Sequence, residues 1–223
     1  MKSSISVAVY SGRGANYHAP ARKLREAGFR VTSIRQDDLT LDRLRQFHVL
    51  FLSGGWYFFD KNISQAIVAF VKGGGGCVGS CAGSYLVAGG IPIIPGRVLR
   101  SNMRGRLYIE PQNGAHPILR GVVQPCQRHK ARKWEPIAMS HMGGPLIFPR
   151  NRKHIVASYD WEGKIGALVA ANVGKGRAVA IASHPELPLA PLARHDQAHR
   201  TDHLYQGPIA LILSNAIRWA ARR

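Results

Sequence analysis

A continuous apolar run ends in a glycine turn at His48-Val49-Leu50-Phe51-Leu52-Ser53-Gly54-Gly55. An unbroken run of this kind is typical of a strand buried on both faces of a parallel sheet. β-Branched or apolar segments at 5–10 and 29–34 predict two further strands before it, and an amphipathic helix is predicted over 61–72 after it. Strands that alternate with helices predict an α/β fold with a doubly wound, mostly parallel sheet and helices on both faces.

The middle of the chain has a different texture. Eight prolines crowd residues 91–153 together with several glycines, which predicts short antiparallel strands and loops that extend the same domain. Strands are predicted again at 155–159, 165–171 and 178–182, and a closing helix over 209–222. A length of 223 residues suits a single domain spanning 1–223. No apolar run approaches the roughly 18 residues of a membrane span.

The composition is strongly basic, with 31 Lys+Arg against 12 Asp+Glu and a formal net charge of +19. Such a charge favours anionic ligands or surfaces. However, no run of five basic residues and no nucleic-acid-binding motif accompanies it. Nucleic acid is therefore not the predicted partner, although the charge leaves a polyanion-binding role open. Three cysteines form no disulfide framework, and the predicted location is cytoplasmic.

A second glycine turn, Gly79-Ser80-Cys81-Ala82-Gly83, has the form of a nucleophile elbow with cysteine as the nucleophile. A tight strand-to-helix turn would hold Cys81 in a strained, exposed position, and the start of the following helix would favour its thiolate. The N–H of Ala82 would then face a developing oxyanion. The same five residues are also compatible with an inert buried cysteine in a glycine-rich turn.

A base and its support follow a later strand, in Ser183-His184-Pro185-Glu186. Residues two apart on an extended segment project to the same side, so that Glu186 could orient the ring of His184. With Cys81 they would complete a nucleophile, base and support. Taken alone, this segment also fits a surface histidine beside a loop glutamate.

The segment Ser53-Gly54-Gly55-Trp56 offers bare N–H groups at the carboxyl end of a parallel strand, where ligands bind in such sheets. Gly55 is the candidate for the other half of an oxyanion hole, and Gly54 and Trp56 are candidate substrate-binding residues. Tyr10, at the tip of the first strand, and Tyr85, beside the elbow, are further pocket candidates. The alternative is an ordinary turn between a strand and a helix.

One histidine cluster stands apart from these motifs. His195, His199 and His203 recur every four residues and would share one face of a helix, where Asp196 or Asp202 could join them on a metal. A loop bordering the active site is the preferred interpretation. The sequence therefore predicts neither a metal nor a cofactor.

Taken together, the elbow, the Gly54-Gly55 pair and the His184-x-Glu186 motif resemble the class I glutamine amidotransferase-like superfamily, which implies a flavodoxin-like arrangement of the sheet. Within it, the chain looks most like the amidotransferase-like N-terminal domain of biotin-protein ligases and its stand-alone bacterial relatives. The supporting segments are Gly79-Ser80-Cys81-Ala82-Gly83-Ser84-Tyr85, Gly143-Gly144-Pro145 and Gly174-Lys175-Gly176-Arg177-Ala178.

The resemblance implies Cys81 as nucleophile, His184 as general base, Glu186 as its support, and Ala82 and Gly55 as oxyanion-hole donors. It also implies attack on a carboxamide, release of ammonia and hydrolysis of a thioester on Cys81. Since no synthetase or ligase domain is recognised in the 223 residues, the expected substrate is a small amide or thioester, with any acceptor on a separate partner protein. The alternatives are a non-catalytic ligand-binding or regulatory module on the same fold, and a basic polyanion-binding protein.

Overall fold

A computed structural model describes residues 4–127, 133–160, 162–189 and 209–221. Within these ranges the strands are β1 (Ser6–Tyr10), β2 (Arg30–Ile34), β3 (Val49–Leu52), β4 (Gly76–Ser80), β5 (Gly96–Leu99), β6 (Arg104–Pro111), β7 (Ile137–Met142), β8 (Leu146–Pro149), β9 (Ile155–Ser158), β10 (Gly166–Val173) and β11 (Gly176–Ile181). The helices are α1 (His18–Glu26), α2 (Leu41–Leu44), α3 (Lys61–Lys72), α4 (Ala82–Tyr85) and α5 (Ala210–Ala220), and a π-helical turn at Leu86–Gly90 continues α4.

The described strands join in one sheet with the order β2-β1-β3-β4-β11-β10-β9-β6-β7, and β8 attaches β5 to β10. The pairings β2-β1, β1-β3, β3-β4 and β4-β11 are parallel, as the sequence predicts. From β11 onward they are antiparallel, so the sheet is mixed rather than mostly parallel. The change of direction at β11 is caused by the tight turn at Gly174-Lys175 between β10 and β11, because such a short connection can join only antiparallel strands.

Helices cover both faces of the parallel strands. On one face, α1 and α5 pack through residues that include Leu24, Ile212 and Ile217 against Val7, Val9 and Phe51. On the other face, α2 and α3 pack through Leu44, Ile67 and Phe70 against Ala8, Leu50 and Leu52. Because successive strand residues point to opposite faces, β1 and β3 are buried throughout, which explains their unbroken apolar sequences.

The predicted antiparallel extension is present in the segment from β5 to β8, where β5 pairs with β8 and β6 pairs with β7. It brings the end of β7 to the carboxyl ends of the parallel strands, where the N–H of His184 donates to the carbonyl oxygen of Ser140 at 2.9 Å. The turn after β4 and the segment after β11 therefore meet a third chain segment at this edge. Among the described helices, none is long and apolar enough to cross a bilayer.

Candidate active site

Cys81 occupies a strained turn between β4 and α4. Its backbone has φ 47° and ψ −111°, and it is the one residue other than glycine with a positive φ among those described. A residue with a β-carbon adopts a positive φ only at a cost in free energy, and residues strained in this way cluster at functional sites. The N–H of Cys81 donates to the carbonyl oxygen of Ile181 at 2.9 Å, which fixes the turn against β11. The strained conformation expected of a nucleophile elbow is therefore present. The predicted exposure is not, because Cys81 is only 8% exposed where the chain segments after β7 and β11 pack against the turn.

The glycines on either side of Cys81 allow this turn to pack closely. A β-carbon at Gly83 would lie 2.0 Å from the carbonyl oxygen of Leu52 in β3, and one at Gly79 would lie 2.4 Å from the carbonyl oxygen of Gly83. Both distances are far below van der Waals contact. The spacing of glycines in the motif is thus required by the approach of α4 to the sheet.

His184 and Glu186 form a buried pair directly after β11. Nδ1 of His184 lies 2.8 Å from Oε1 of Glu186, and the two residues are only 6% and 5% exposed. The second carboxylate oxygen, Oε2, is buried and has no hydrogen-bond partner in the described part of the chain. His184 is therefore the group that compensates the carboxylate, as the two-residue spacing predicts.

Cys81 and His184 meet over Gly54. A β-carbon at Gly54 would lie 2.8 Å from Cε1 of His184, 3.7 Å from its Nε2 and 3.4 Å from Cβ of Cys81. Burial lowers the pKa of His184, but hydrogen bonds to Cys81 and Glu186 and the negative charges of both outweigh it, and raise this pKa from 6.5 to about 10. The ring of His184 is therefore held between a thiol and a carboxylate, and its role in a Cys-His-Glu triad stays a prediction.

The raised pKa of His184 predicts a pH-dependent contribution to stability. With Cys81 and Glu186 both in place, we expect His184 to stabilise the fold relative to the His184→Asn variant. Because the folded pKa is the higher one, this stabilisation is full below about pH 6.5 and is lost as the pH rises towards 10. Urea unfolding of the wild-type protein and this variant between pH 5 and 10 measures it. A difference that is constant with pH would contradict the buried ion pair.

Gly54 also offers a steric test of the site. Gly54→Ala would place a methyl group against the ring of His184 and displace the ring from Cys81. A misplacement of about 1 Å can cost roughly 100-fold in activity, and we expect a loss of that order. Gly90→Ala is the matched control, because its β-carbon would meet the flexible end of Leu86 at 3.1 Å and the carbonyl oxygen of Tyr85 at an ordinary contact distance of 3.9 Å. Turnover and thermal unfolding of both variants check this prediction. Full activity in Gly54→Ala would show that the ring does not act from this position.

The predicted oxyanion-hole residues are Ala82, the first residue of α4, and Gly55, in the turn after β3. The turn containing Gly55 is fastened to a neighbouring loop, because the N–H of Asn16 donates to the carbonyl oxygen of Gly54 at 2.8 Å and that of Trp56 donates to Gly14 at 2.9 Å. In the described ranges, the N–H groups of Gly55 and Ala82 donate to no backbone carbonyl. Both donors are therefore free of backbone partners, and their role in stabilising an oxyanion stays a prediction.

The other pocket candidates divide into two groups. Trp56 is 75% exposed, and Tyr85 donates from its hydroxyl to the carbonyl oxygen of Gly143 at 3.3 Å, so both lie in segments that surround Cys81. Tyr10 does not, because it is only 1% exposed and packs against the rings of Tyr57 and Phe59. The pocket role predicted for Tyr10 therefore has no support in its contacts, since these two aromatic side chains cover the end of β1.

A second histidine lies under the site without having been predicted there. His141 is fully buried, and its Nδ1 lies 3.1 Å from both the hydroxyl of Ser183 and that of Tyr159. Burial and the nearby positive charge of His184 outweigh a hydrogen bond from the His141 ring to the backbone of Gly144 and lower the pKa of His141 to about 4. His141 is therefore neutral beside a charged His184.

Met142, the residue after His141, also contacts Cys81. Sγ of Cys81 lies 3.9 Å from the carbonyl oxygen of Met142, which places the end of β7 at the sulfur. The sequence signal for this wall is Gly143-Gly144, because a β-carbon at Gly144 would lie 1.7 Å from the carbonyl oxygen of Ala182. Gly144 is thus needed for this segment to pack against the segment that follows β11 and carries His184.

The histidine cluster His195, His199 and His203 lies outside the described residues. In the ranges that the structure describes, no three His, Cys, Asp or Glu side chains are grouped so as to hold a metal ion. The nucleophile hypothesis depends on Cys81 and the His184–Glu186 pair and does not involve the cluster.

No family model and no curated protein matches this chain, but solved structures do. A protein from Thermoplasma acidophilum described as one of the subunits of GMP synthase is 16% identical with a TM-score of 0.61, over 98% of this chain and 94% of that one. PurLQS from Thermotoga maritima is 17% identical with a TM-score of 0.63, over 96% and 98%. A ThuA-like protein from Parabacteroides merdae is 14% identical with a TM-score of 0.60, over 98% and 90%. These similarities show that the chain shares the fold of these proteins.

Proposed function

We propose that the protein is a cysteine-nucleophile hydrolase or amidotransferase-like enzyme that acts on a small amide or thioester through a thioester on Cys81. The observation that carries this proposal is the position of Cys81, strained at φ 47° and adjacent to a buried histidine that is 2.8 Å from a buried carboxylate. A structural cysteine needs neither a strained backbone nor a buried ion pair beside it. Both features are what an activated nucleophile needs.

The side chains suggest the following order of steps. His184 holds the proton given up by the Cys81 thiol, since its pKa is raised to about 10. The sulfur attacks the carbonyl carbon while Ala82 and Gly55 donate to the oxygen that becomes negative. The C–N bond breaks, or the C–S bond of a thioester, and His184 returns the proton to the leaving amine or thiol. His184 then takes a proton from water as that water attacks the enzyme thioester, which releases a carboxylic acid and restores the thiol.

Glu186 acts through His184 in every one of these steps. Its contact at Nδ1 directs the opposite nitrogen, Nε2, towards Cys81, and its charge stabilises the imidazolium that forms when the thiol is deprotonated. Because the pKa of His141 is lowered to about 4, His141 adds no second positive charge beside the imidazolium of His184. The charge separation needed for thiolate attack is therefore supported within the buried site.

We also propose a place for the protein within the superfamily. The glycine pair Gly143-Gly144 forms a wall of the site, and with Gly79-Ser80-Cys81-Ala82-Gly83 it supports the resemblance to the N-terminal domain of biotin-protein ligases. The five parallel strands β2, β1, β3, β4 and β11 would then be the doubly wound, flavodoxin-like part of the sheet. PurLQS among the solved structures supports the idea that a separate partner protein receives the product, and a cytoplasmic location belongs to the same proposal.

A screen of small amides and thioesters tests the proposal. Release of ammonia or of thiol is measured for the wild-type protein and for Cys81→Ala. Turnover that requires Cys81 supports the enzyme, and the preferred compounds identify the substrate class. Binding without turnover by the wild-type protein would instead favour the non-catalytic ligand-binding module.

A further inference from the structure

Arg100 lies on the rim of the candidate site. Its guanidinium carbon is 5.7 Å from the centroid of the Trp56 ring, and Trp56 directly follows Gly55. The next residue, Ser101, donates from its backbone N–H to the hydroxyl of Tyr85 at 3.3 Å, which links this segment to the helix that begins after Cys81. Arg100 therefore stands where the Gly55 turn and the elbow helix come together.

The charge of Arg100 is exposed, and no carboxylate of the described residues neutralises it. In the described part of the chain Arg100 forms no ion pair, whereas exposed cations elsewhere, such as Lys23 and Arg45, pair with acids on their own helices. The carboxylate of this site, on Glu186, is buried and bonded to His184. The rim thus presents a positive charge that a ligand can meet.

We propose that Arg100 and Trp56 bind an anionic group, a carboxylate or a phosphate, on the substrate whose amide or thioester reacts at Cys81. The substrate class is then an anionic amide or thioester, an inference that depends on the proposed function for the reacting group. Contact with the indole face orients the guanidinium while its N–H groups remain available. Those N–H groups match the geometry of a carboxylate or a phosphate.

The test compares two alkylating reagents that differ only in charge, N-iodoacetylglycine and N-iodoacetylglycinamide. The rate of modification of Cys81 is measured by mass spectrometry at pH 7 and low salt, and its ratio for the two reagents is divided by the ratio for a small free thiol. We expect a preference of about fivefold for the anionic reagent, the size of one exposed charge contact. This preference should shrink at high salt, where exposed charges are screened.

Arg97→Gln provides the matched control for Arg100→Gln. Arg97 lies three positions earlier on the same segment and stacks in the same way, with its guanidinium carbon 5.2 Å from the centroid of the Phe148 ring. Since residues of an extended segment rise about 3.3 Å each, it lies roughly 10 Å farther along the chain. Both substitutions remove one positive charge from an exposed side chain, but only Arg100→Gln should remove the preference.

Two results would overturn the proposal. In the first, Arg100→Gln keeps the preference of the wild-type protein. In the second, Arg97→Gln loses as much of it as Arg100→Gln, which would assign the effect to the overall charge of +19. The intrinsic reactivity of the thiol cancels in the ratio of the two reagents. A slowly reacting Cys81 would therefore count against the proposed function and still leave the preference at the rim measurable.

Discussion

Replacement of Cys81 by alanine is expected to lower turnover by roughly 1,000-fold or more for any amide or thioester that the screen identifies. The reason is that Cys81 supplies the atom that forms the covalent intermediate, and neither of the other described thiols can replace it. Cys77 is fully buried, and burial raises the pKa of its thiol to about 12. The measurement is the release of ammonia or thiol under identical conditions by the two proteins.

The control for this prediction is Cys126→Ala. Cys126 is a half-buried free cysteine outside the site, so its replacement should leave turnover unchanged. Unfolding of Cys81→Ala should also remain cooperative, because the substitution removes only a sulfur atom. Equal turnover by wild type and Cys81→Ala would eliminate Cys81 as the nucleophile.

Substitution of Glu186 by glutamine is expected to have the next largest effect. Glutamine keeps the size of the side chain but removes the negative charge that supports His184, and the pKa of His184 should fall because that charge contributes to raising it. Removal of an equivalent carboxylate from a triad costs up to about 10,000-fold in turnover. We therefore expect a loss of roughly 100- to 10,000-fold in kcat, together with slower alkylation of Cys81.

Glu26→Gln serves as the control for the loss of a carboxylate. Glu26 lies on the surface of α1, where it pairs with Lys23 at 2.9 Å, and exposed pairs of this kind contribute little to stability. Its substitution should change neither turnover nor alkylation. If Glu186→Gln behaved in the same way, the buried pair with His184 would have only a structural role.

The parts of this protein that could be predicted from sequence are those encoded by neighbouring residues. The apolar stripe predicts a helix over 61–72, and α3 spans Lys61–Lys72. The glycines around Cys81 predict a tight turn, and the two-residue spacing of His184 and Glu186 predicts their contact. In each case the pattern and the structure that it indicates lie within one local segment.

What could not be predicted depends on segments that are distant along the chain. His141 contacts Ser183, which is 42 residues away in the sequence, and Met142 contacts Cys81, which is 61 residues away. The periodicity of the sequence predicts neither contact. The pocket role expected of Tyr10 lacks support for a related reason. Its place at the end of β1 could be predicted, but the folding of Tyr57 over that strand end could not.

The measurement that tests the activated nucleophile most directly is the rate at which iodoacetamide modifies each cysteine at pH 7. Cys81 should react at least roughly tenfold faster than Cys126, because thiolates are the reacting species and His184, whose pKa is raised to about 10, holds the proton of this thiol. His184→Asn should bring the rate at Cys81 down to that of Cys126. A Cys81 that reacts no faster than Cys126, and is unaffected by His184→Asn, would contradict the proposed triad.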